Sequence, residues 1–238
     1  MKLIKSKAYI FFISFVLLLN SCADTLIGDE GQFDEGVFLN YQTKTELELP
    51  FEDEWFVVWG GRSAIQNQHF VPHRHQRYAM DILQIVDGFS FSGDGTKNED
   101  YYCFGKRLNA SGNGEVIEME NNIDDNTNIG SINSNIDKNT TAGNYIIIDH
   151  LNGEFSFMAH FKKGTILVAV GDTVFKGQEV GKAGNSGNST EPHLHYHLQT
   201  TSNTATGIGL PTQFLNYYAD DVFIERGEPV RGQIVRNN

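Results

Sequence analysis

The residues best suited to chemistry in this chain are its histidines, and they are grouped. The eight of them fall together as His69, His73 and His75, then His150 and His160, then His193, His195 and His197. The last group alternates within Pro192-His193-Leu194-His195-Tyr196-His197. On a strand, side chains two residues apart share one face with Cα atoms roughly 6.6 Å apart, so these imidazoles would point the same way. One could ligate a metal while its neighbour moves protons. A catalytic zinc takes three protein ligands from histidine and carboxylate and leaves a fourth position open. Other metal patterns are excluded, since the chain has no His-Glu-x-x-His helix and no Cys-x-x-Cys pair. The alternative is a surface stripe that only adsorbs metal, and the surrounding residues must decide.

The elements that would position these groups read as strands. Short runs of β-branched and aromatic residues are separated by Gly, Asn and Asp, and helical periodicity is nearly absent after residue 45. Examples are Trp55–Trp59, Tyr145–Asp149, Phe155–His160, Ile166–Val170 and Leu194–Leu198. Asn152-Gly153 predicts a tight hairpin turn between two of them. Gly171–Val174 and Lys176–Val180 read as successive turn-strand units. The Gly-rich approach Gly184–Pro192 would let backbone come close to a ligand. The expected fold is all-β and mainly antiparallel over residues 46–220, with long loops and a C-terminal tail at 221–238. Residues 120–143, rich in Asn, Asp, Thr and Ser, read as an exposed loop, and they lack the spacing of an EF-hand calcium site.

The N-terminal residues carry a different signal. Lys2, Lys5 and Lys7 precede an apolar run from Ala8 to Leu19, then Asn20-Ser21-Cys22. This is the arrangement of a secretory signal at 1–21 followed by a cysteine acylated as in bacterial lipoproteins. Residues 22–45 would then be a tether, and the protein would be exported and held at the envelope by lipid on Cys22. The second cysteine, Cys103, would be left without an internal partner, and its neighbours Tyr101, Tyr102 and Phe104 mark it as a buried structural thiol. The formal net charge of -12 becomes more negative when the three lysines of the signal are lost. An acidic surface argues against nucleic acid as a partner.

From residue 143 onward the order of motifs carries a resemblance. Gly143-Asn144-Tyr145-Ile146-Ile147-Ile148-Asp149-His150, Phe157-Met158-Ala159-His160-Phe161, Val170–Val174, Gly177–Gly181, Gly184–Ser189 and Pro192–His195 stand in sequence. Together with Tyr78-Ala79-Met80-Asp81-Ile82 upstream, the chain resembles the catalytic core of the lysostaphin/LytM-type zinc metallopeptidases, built on a duplicated-hybrid-motif-like β-sheet. The stretch 170–181 alone is similar to a lipoyl or biotinyl hairpin, but it lacks the lysine at the tip. The resemblance implies a zinc ion held by Asp81, His195 and one further histidine. It implies that His193 takes the proton of the attacking water and that His160 stabilises the oxyanion. Family members often carry a ligand histidine four residues before the aspartate, where this chain has Arg77. Asn67-Gln68-His69 is similar to a variant branch with its ligand farther upstream, so His69 is the expected third ligand, with His75 and then His73 as the other candidates. His197 has no assigned task.

What the resemblance implies as substrate is the peptide cross-links of bacterial peptidoglycan, which an envelope-tethered enzyme would face. The competing reading is a catalytically silent module of the same fold that binds the wall or activates another hydrolase. Loss of metal ligands would mark such a module, whereas Asp81, His160, His193 and His195 are all present.

Overall fold

The structure, a computed structural model, describes residues 36–70, 74–131 and 140–238. The leader, Cys22 and His73 lie outside the described residues. Among the described residues a single α-helical turn, α1 (Gly36–Leu39), precedes thirteen strands. These are β1 (Trp55–Trp59), β2 (Met80–Leu83), β3 (Arg107–Asn109), β4 (Gly114–Glu120), β5 (Asn144–Asp149), β6 (Phe155–Phe161), β7 (Thr173–Val174), β8 (Glu179–Lys182), β9 (Leu194–Gln199), β10 (Gly209–Leu210), β11 (Phe214–Ala219), β12 (Val222–Gly227) and β13 (Ile234–Asn237). Eleven share one sheet in the order β12-β11-β13-β1-β2-β9-β6-β5-β4-β7, with β10 added to β9, and β3 and β8 form a separate ribbon. Every pairing between these strands is antiparallel.

Alternation along the central strands separates core from site. Leu194, Tyr196 and Leu198 of β9 join Met80 and Ile82 of β2, Met158 of β6, and Ile146 and Ile148 of β5 in the main hydrophobic cluster. With a period of two, the residues between them face the other side. That opposite face carries Asp81 on β2 and His195, His197 and Gln199 on β9. Register then aligns them across strands, for Asp81 pairs with His195, and His195 also pairs with Ala159 of β6. Directly opposed residues have Cβ atoms only about 4.5–5.5 Å apart. The same alternation that builds the core therefore brings the carboxylate against the imidazole.

Several segments differ from the sequence expectation. Residues 221–238 are not a tail: β12 and β13 bond to β11, and β13 closes onto β1. Their exposed edge leaves β12 with little apolar alternation, and the burial that marks an inner strand is missing. The tether expected to reach residue 45 is already folded at Tyr41–Thr45, where Thr43 is buried and the Glu154 carboxylate accepts from the backbone N–H groups of Lys44 at 2.7 Å and Thr45 at 2.8 Å. Ile166–Val170 forms no strand; Leu167 N–H bonds Val180 O at 3.0 Å, while the residues around it alternate between core and solvent without a ladder. The Asn152-Gly153 hairpin is present, but the connection is the longer loop His150–Glu154, closed by His150 N–H to Glu154 O at 3.0 Å. Within 120–143, Asn126 is buried rather than exposed, because its side-chain amide donates to the carbonyls of Ser131 at 2.7 Å and Ser189 at 2.8 Å.

Candidate metal centre

The site begins at Asp81, whose two oxygens have different partners. Oδ1 lies 2.8 Å from His195 Nδ1 and 3.7 Å from His193 Nε2. Oδ2 lies 2.9 Å from His69 Nε2 and accepts from Gln68 Nε2 at 3.1 Å. Burial alone would raise this carboxyl. Hydrogen bonds from His195 and His69, with the charges of His69 and His193, outweigh burial and hold it well below the usual carboxylate range. Asp81 is thus kept as an anion.

His69 reaches Asp81 from a loop, and Asn67 aims it. The Asn67 side chain is buried, accepts from His69 N–H at 2.9 Å, and donates to Gly61 O at 3.2 Å and Ala79 O at 2.9 Å. One side chain therefore ties the loop to the end of β2. His69 and His195 meet edge to face with centroids 5.0 Å apart. Among the described residues, donor atoms of His69, Asp81 and His195 converge within 4.8 Å of one another. His75 is elsewhere: its ring lies beside His197, centroids 5.8 Å apart. Arg77, four residues before Asp81, sits with its guanidinium 5.0 Å from the Phe70 ring.

His160 occupies an unusual backbone position. The β5–β6 register passes from Asn144↔Phe161 to Tyr145↔Ala159, so His160 is the extra residue of a bulge, and its φ is 64°. A non-glycine residue in this left-handed region costs about 1–3 kcal/mol and marks a side chain being re-aimed. Here the imidazole turns towards His193, with ring centroids 4.7 Å apart. His160 Nδ1 lies 2.7 Å from Ser186 O. A carbonyl only accepts, so Nδ1 carries the proton and Nε2 presents its lone pair to the site. His193 is fixed in the same way by Glu191 O at 2.8 Å, with Ser189 Oγ at 3.2 Å. Burial, then the neighbouring His193 and His195, holds His160 well below the ordinary imidazole value. Burial lowers His195 as well. These rings are kept neutral, the form that ligates metal or accepts a proton.

The whole group lines an open cleft of about 1140 Å³ whose walls include Trp59, Tyr145, Phe157, Glu118 and Glu191. The donor set fits a zinc ion: one carboxylate and two imidazoles are the usual ligands of a catalytic site with an open fourth position. The lone pairs of Asp81 and its flanking rings converge at distances where a cation or a shared proton must lie between them.

The other sequence-noted groups lie outside this arrangement. His150 is buried and bonds Asn113 O at 2.7 Å and Ser156 Oγ at 2.6 Å. Cys103 is buried, its Sγ donating to Pro192 O at 3.0 Å, and burial pushes its thiol up to about 12. That is an inert structural group. Sequence reasoning missed Gln68, Ser186, Ser189 and Gln199. Only Gln199 carried a legible signal, as the next position on the histidine face of β9.

Comparison with known proteins adds to the geometry. Residues 100–206 match the model of Peptidase family M23. That stretch includes His160, His193 and His195, while His69 and Asp81 precede it. The chain is 47% identical over 57 residues to the peptidoglycan DD-endopeptidase ShyA of Vibrio cholerae, a match covering 24% of this chain and 13% of that protein. Among solved structures it is similar to the catalytic domain of the prophage-encoded M23 protein EnpA from Enterococcus faecalis, in a mutant form. The identity is 19% and the TM-score 0.41, over 69% of this chain and 93% of that one. It is also similar to the catalytic domain of lysostaphin from Staphylococcus simulans, at 18% identity and a TM-score of 0.37, over 66% of this chain and 88% of that one.

Proposed function

We propose that this chain is a zinc-dependent endopeptidase of family M23 that hydrolyses peptide cross-links of bacterial peptidoglycan. The observation that carries the reading is the convergence of donor atoms from His69, Asp81 and His195 within 4.8 Å, beside two further imidazoles whose Nε2 atoms are free to accept. The M23 match across His160, His193 and His195 and the likeness of a short segment to a peptidoglycan DD-endopeptidase support the reaction class and the substrate.

His69, Asp81 and His195 would hold the ion. When bound, zinc supplies Lewis acidity, bringing the pKa of a coordinated water towards about 7 and polarising the scissile carbonyl. The chain's own groups do the rest. His193 takes the proton of the attacking water at Nε2; its Nδ1–H is anchored on Glu191 O at 2.8 Å. Asp81 Oδ1, 3.7 Å from that Nε2, stabilises the imidazolium that results. His193 then returns the proton to the leaving amine. Neutral His160 accepts at Nε2 and orients the water; it becomes a donor to the oxyanion only when doubly protonated, a form its burial disfavours. The aromatic walls Trp59, Tyr145 and Phe157 would seat the peptide.

We further propose that lipid on Cys22 tethers the enzyme to the envelope, which puts it beside its polymer. Radiolabelled palmitate incorporated by the wild type and not by Cys22→Ala would support the anchor, and equal labelling would refute it. For the enzyme, metal analysis of the purified protein and digestion of purified wall, with and without chelator, form the test. Bound zinc and chelator-sensitive release of peptide fragments are expected. A protein that binds no zinc and digests no wall, and that is unaffected by His195→Ala, is instead a silent module.

A further inference from the structure

The strand that supplies His195 continues its polar face through His197 and Gln199, and these make a directed chain of hydrogen bonds. His195 Nε2 is 3.2 Å from His197 Nδ1, and His197 Nε2 is 3.1 Å from Gln199 Oε1. All three side chains are buried. The direction of the chain is set at its far end. Gln199 Nε2 donates to Ser202 O at 3.4 Å, so the amide NH₂ faces that carbonyl and Oε1 faces His197. An amide oxygen only accepts, so His197 must carry its proton on Nε2. Its Nδ1 is then a lone pair, and His195 Nε2–H must donate to it. With an ion bound, that leaves the lone pair of His195 on Nδ1, the atom 2.8 Å from Asp81 Oδ1; without an ion, the same contact is an Nδ1–H donated to the carboxylate.

We propose that Gln199 and His197 form a relay behind the metal centre that fixes His195 in its Nε2–H tautomer and presents Nδ1 to the ion. The inference rests on the metal-site reading above and concerns positioning residues; neither touches substrate. Packing holds the relay in line. The His197 ring stacks on Phe157, centroids 4.8 Å apart and planes 12° apart, and Phe157 stacks in turn on Tyr145 at 5.2 Å and 9°. A ligand imidazole whose other N–H is anchored has its tautomer and orientation chosen in advance, and loss of such an anchor typically costs about 10–100-fold in metal affinity. In this chain a second imidazole and an amide serve as the anchor.

The test has two readouts besides hydrolysis. Nitrogen-15 spectra of the zinc-loaded full-length protein report each histidine's tautomer directly, and chelator competition reports zinc affinity. His195 and His197 are expected as Nε2–H tautomers in the wild type. His197→Phe keeps the stack on Phe157 and removes the acceptor. It should mix the His195 tautomers and weaken zinc by about 10–100-fold. His197→Asn offers an oxygen near the former Nδ1 position and should restore affinity to within about threefold of wild type, an expectation scaled to the same anchoring effect. Gln199→Met, which leaves His197 in place, should randomise the His197 tautomer and guards against a His197→Phe protein that fails to fold. An Nδ1–H tautomer of His195 in the wild type, or equal zinc affinity in His197→Phe and His197→Asn, overturns the relay. A protein with the expected tautomers and zinc affinity that digests no wall leaves the relay intact and overturns the peptidase reading instead.

Discussion

Asp81 illustrates how few atoms decide this site, because each of its oxygens contacts a different histidine loop or strand. Removing one ligand should therefore unbalance the other two. His69→Ala is expected to lose stoichiometric zinc, whereas His75→Ala, which removes a ring that lies beside His197 instead of Asp81, should keep it. Metal analysis of the two purified variants checks this; zinc retained by His69→Ala would transfer the ligand role elsewhere. The proton-handling pair should separate from the ligands in the same measurement. His193→Ala and His160→Ala are expected to retain zinc and to lose wall hydrolysis by about 10²–10⁴-fold, the usual size of general acid–base help. Loss of zinc in both would mean that these imidazoles belong to the metal shell.

At the scale of elements, β6 and the loop before β9 hold His160 jointly. Gly143 lies between them at φ +63°, and a Cβ there would come within 2.4 Å of Ser186 C and O, the carbonyl that anchors His160 Nδ1. Gly143→Ala should thus push the anchor away as well as strain the backbone. We expect a stability loss above the ~1–2 kcal/mol of a left-handed alanine, with hydrolysis reduced up to about 10²-fold, the effect of misplacing a reacting group by ~1 Å. Gly153→Ala is the control. Its φ is +84° with nothing within 4 Å of the added carbon, so it should cost stability alone. Thermal unfolding and initial rates for the two variants separate these effects, and equal rates would dissociate the Ser186 anchor from function. The face of β9 that carries His195 and His197, with His193 just before it, was legible in the sequence because core and site alternate with period two. Asp81 was legible only through the resemblance carried by Tyr78-Ala79-Met80-Asp81-Ile82, and the structure sets it between buried Met80 and Ile82. What was not legible depends on distant residues. No local pattern says that the Ser186 carbonyl will orient His160. The exposed β12 lacks the apolar rhythm that announced the inner strands.

At the scale of the molecule, two buried titratable groups away from the metal centre couple stability to pH. Glu154 clamps Tyr41–Thr45 to the β5–β6 loop, and Tyr41 Oη donates to it at 2.7 Å alongside the Lys44 and Thr45 amides. Burial would raise this carboxyl, but the bonds from Lys44, Thr45 and Tyr41 prevail and lower it. Its contribution is therefore complete above the unfolded carboxyl value of 4.5 and is lost as pH falls through the lower folded value. His150 behaves as the complementary case in a higher window. Burial lowers its pKa below 6.5, ahead of the opposing pull of Asn113 O and nearby acids. The unfolded chain then takes up a proton first as pH drops below 6.5, so stability falls from that point downward. Acid unfolding of the full-length protein should accordingly begin below about 6.5 and steepen below about 4.5. Glu154→Gln removes the charged acceptor of two backbone N–H groups and should cost about 1–3 kcal/mol at neutral pH. It should also flatten the lower part of the curve and leave the upper part unchanged. Denaturant titrations of wild type and variant across that pH range test the assignment. A wild-type curve flat between about pH 7 and 5 would remove His150 from it, and a variant curve parallel to wild type below about 4.5 would remove Glu154.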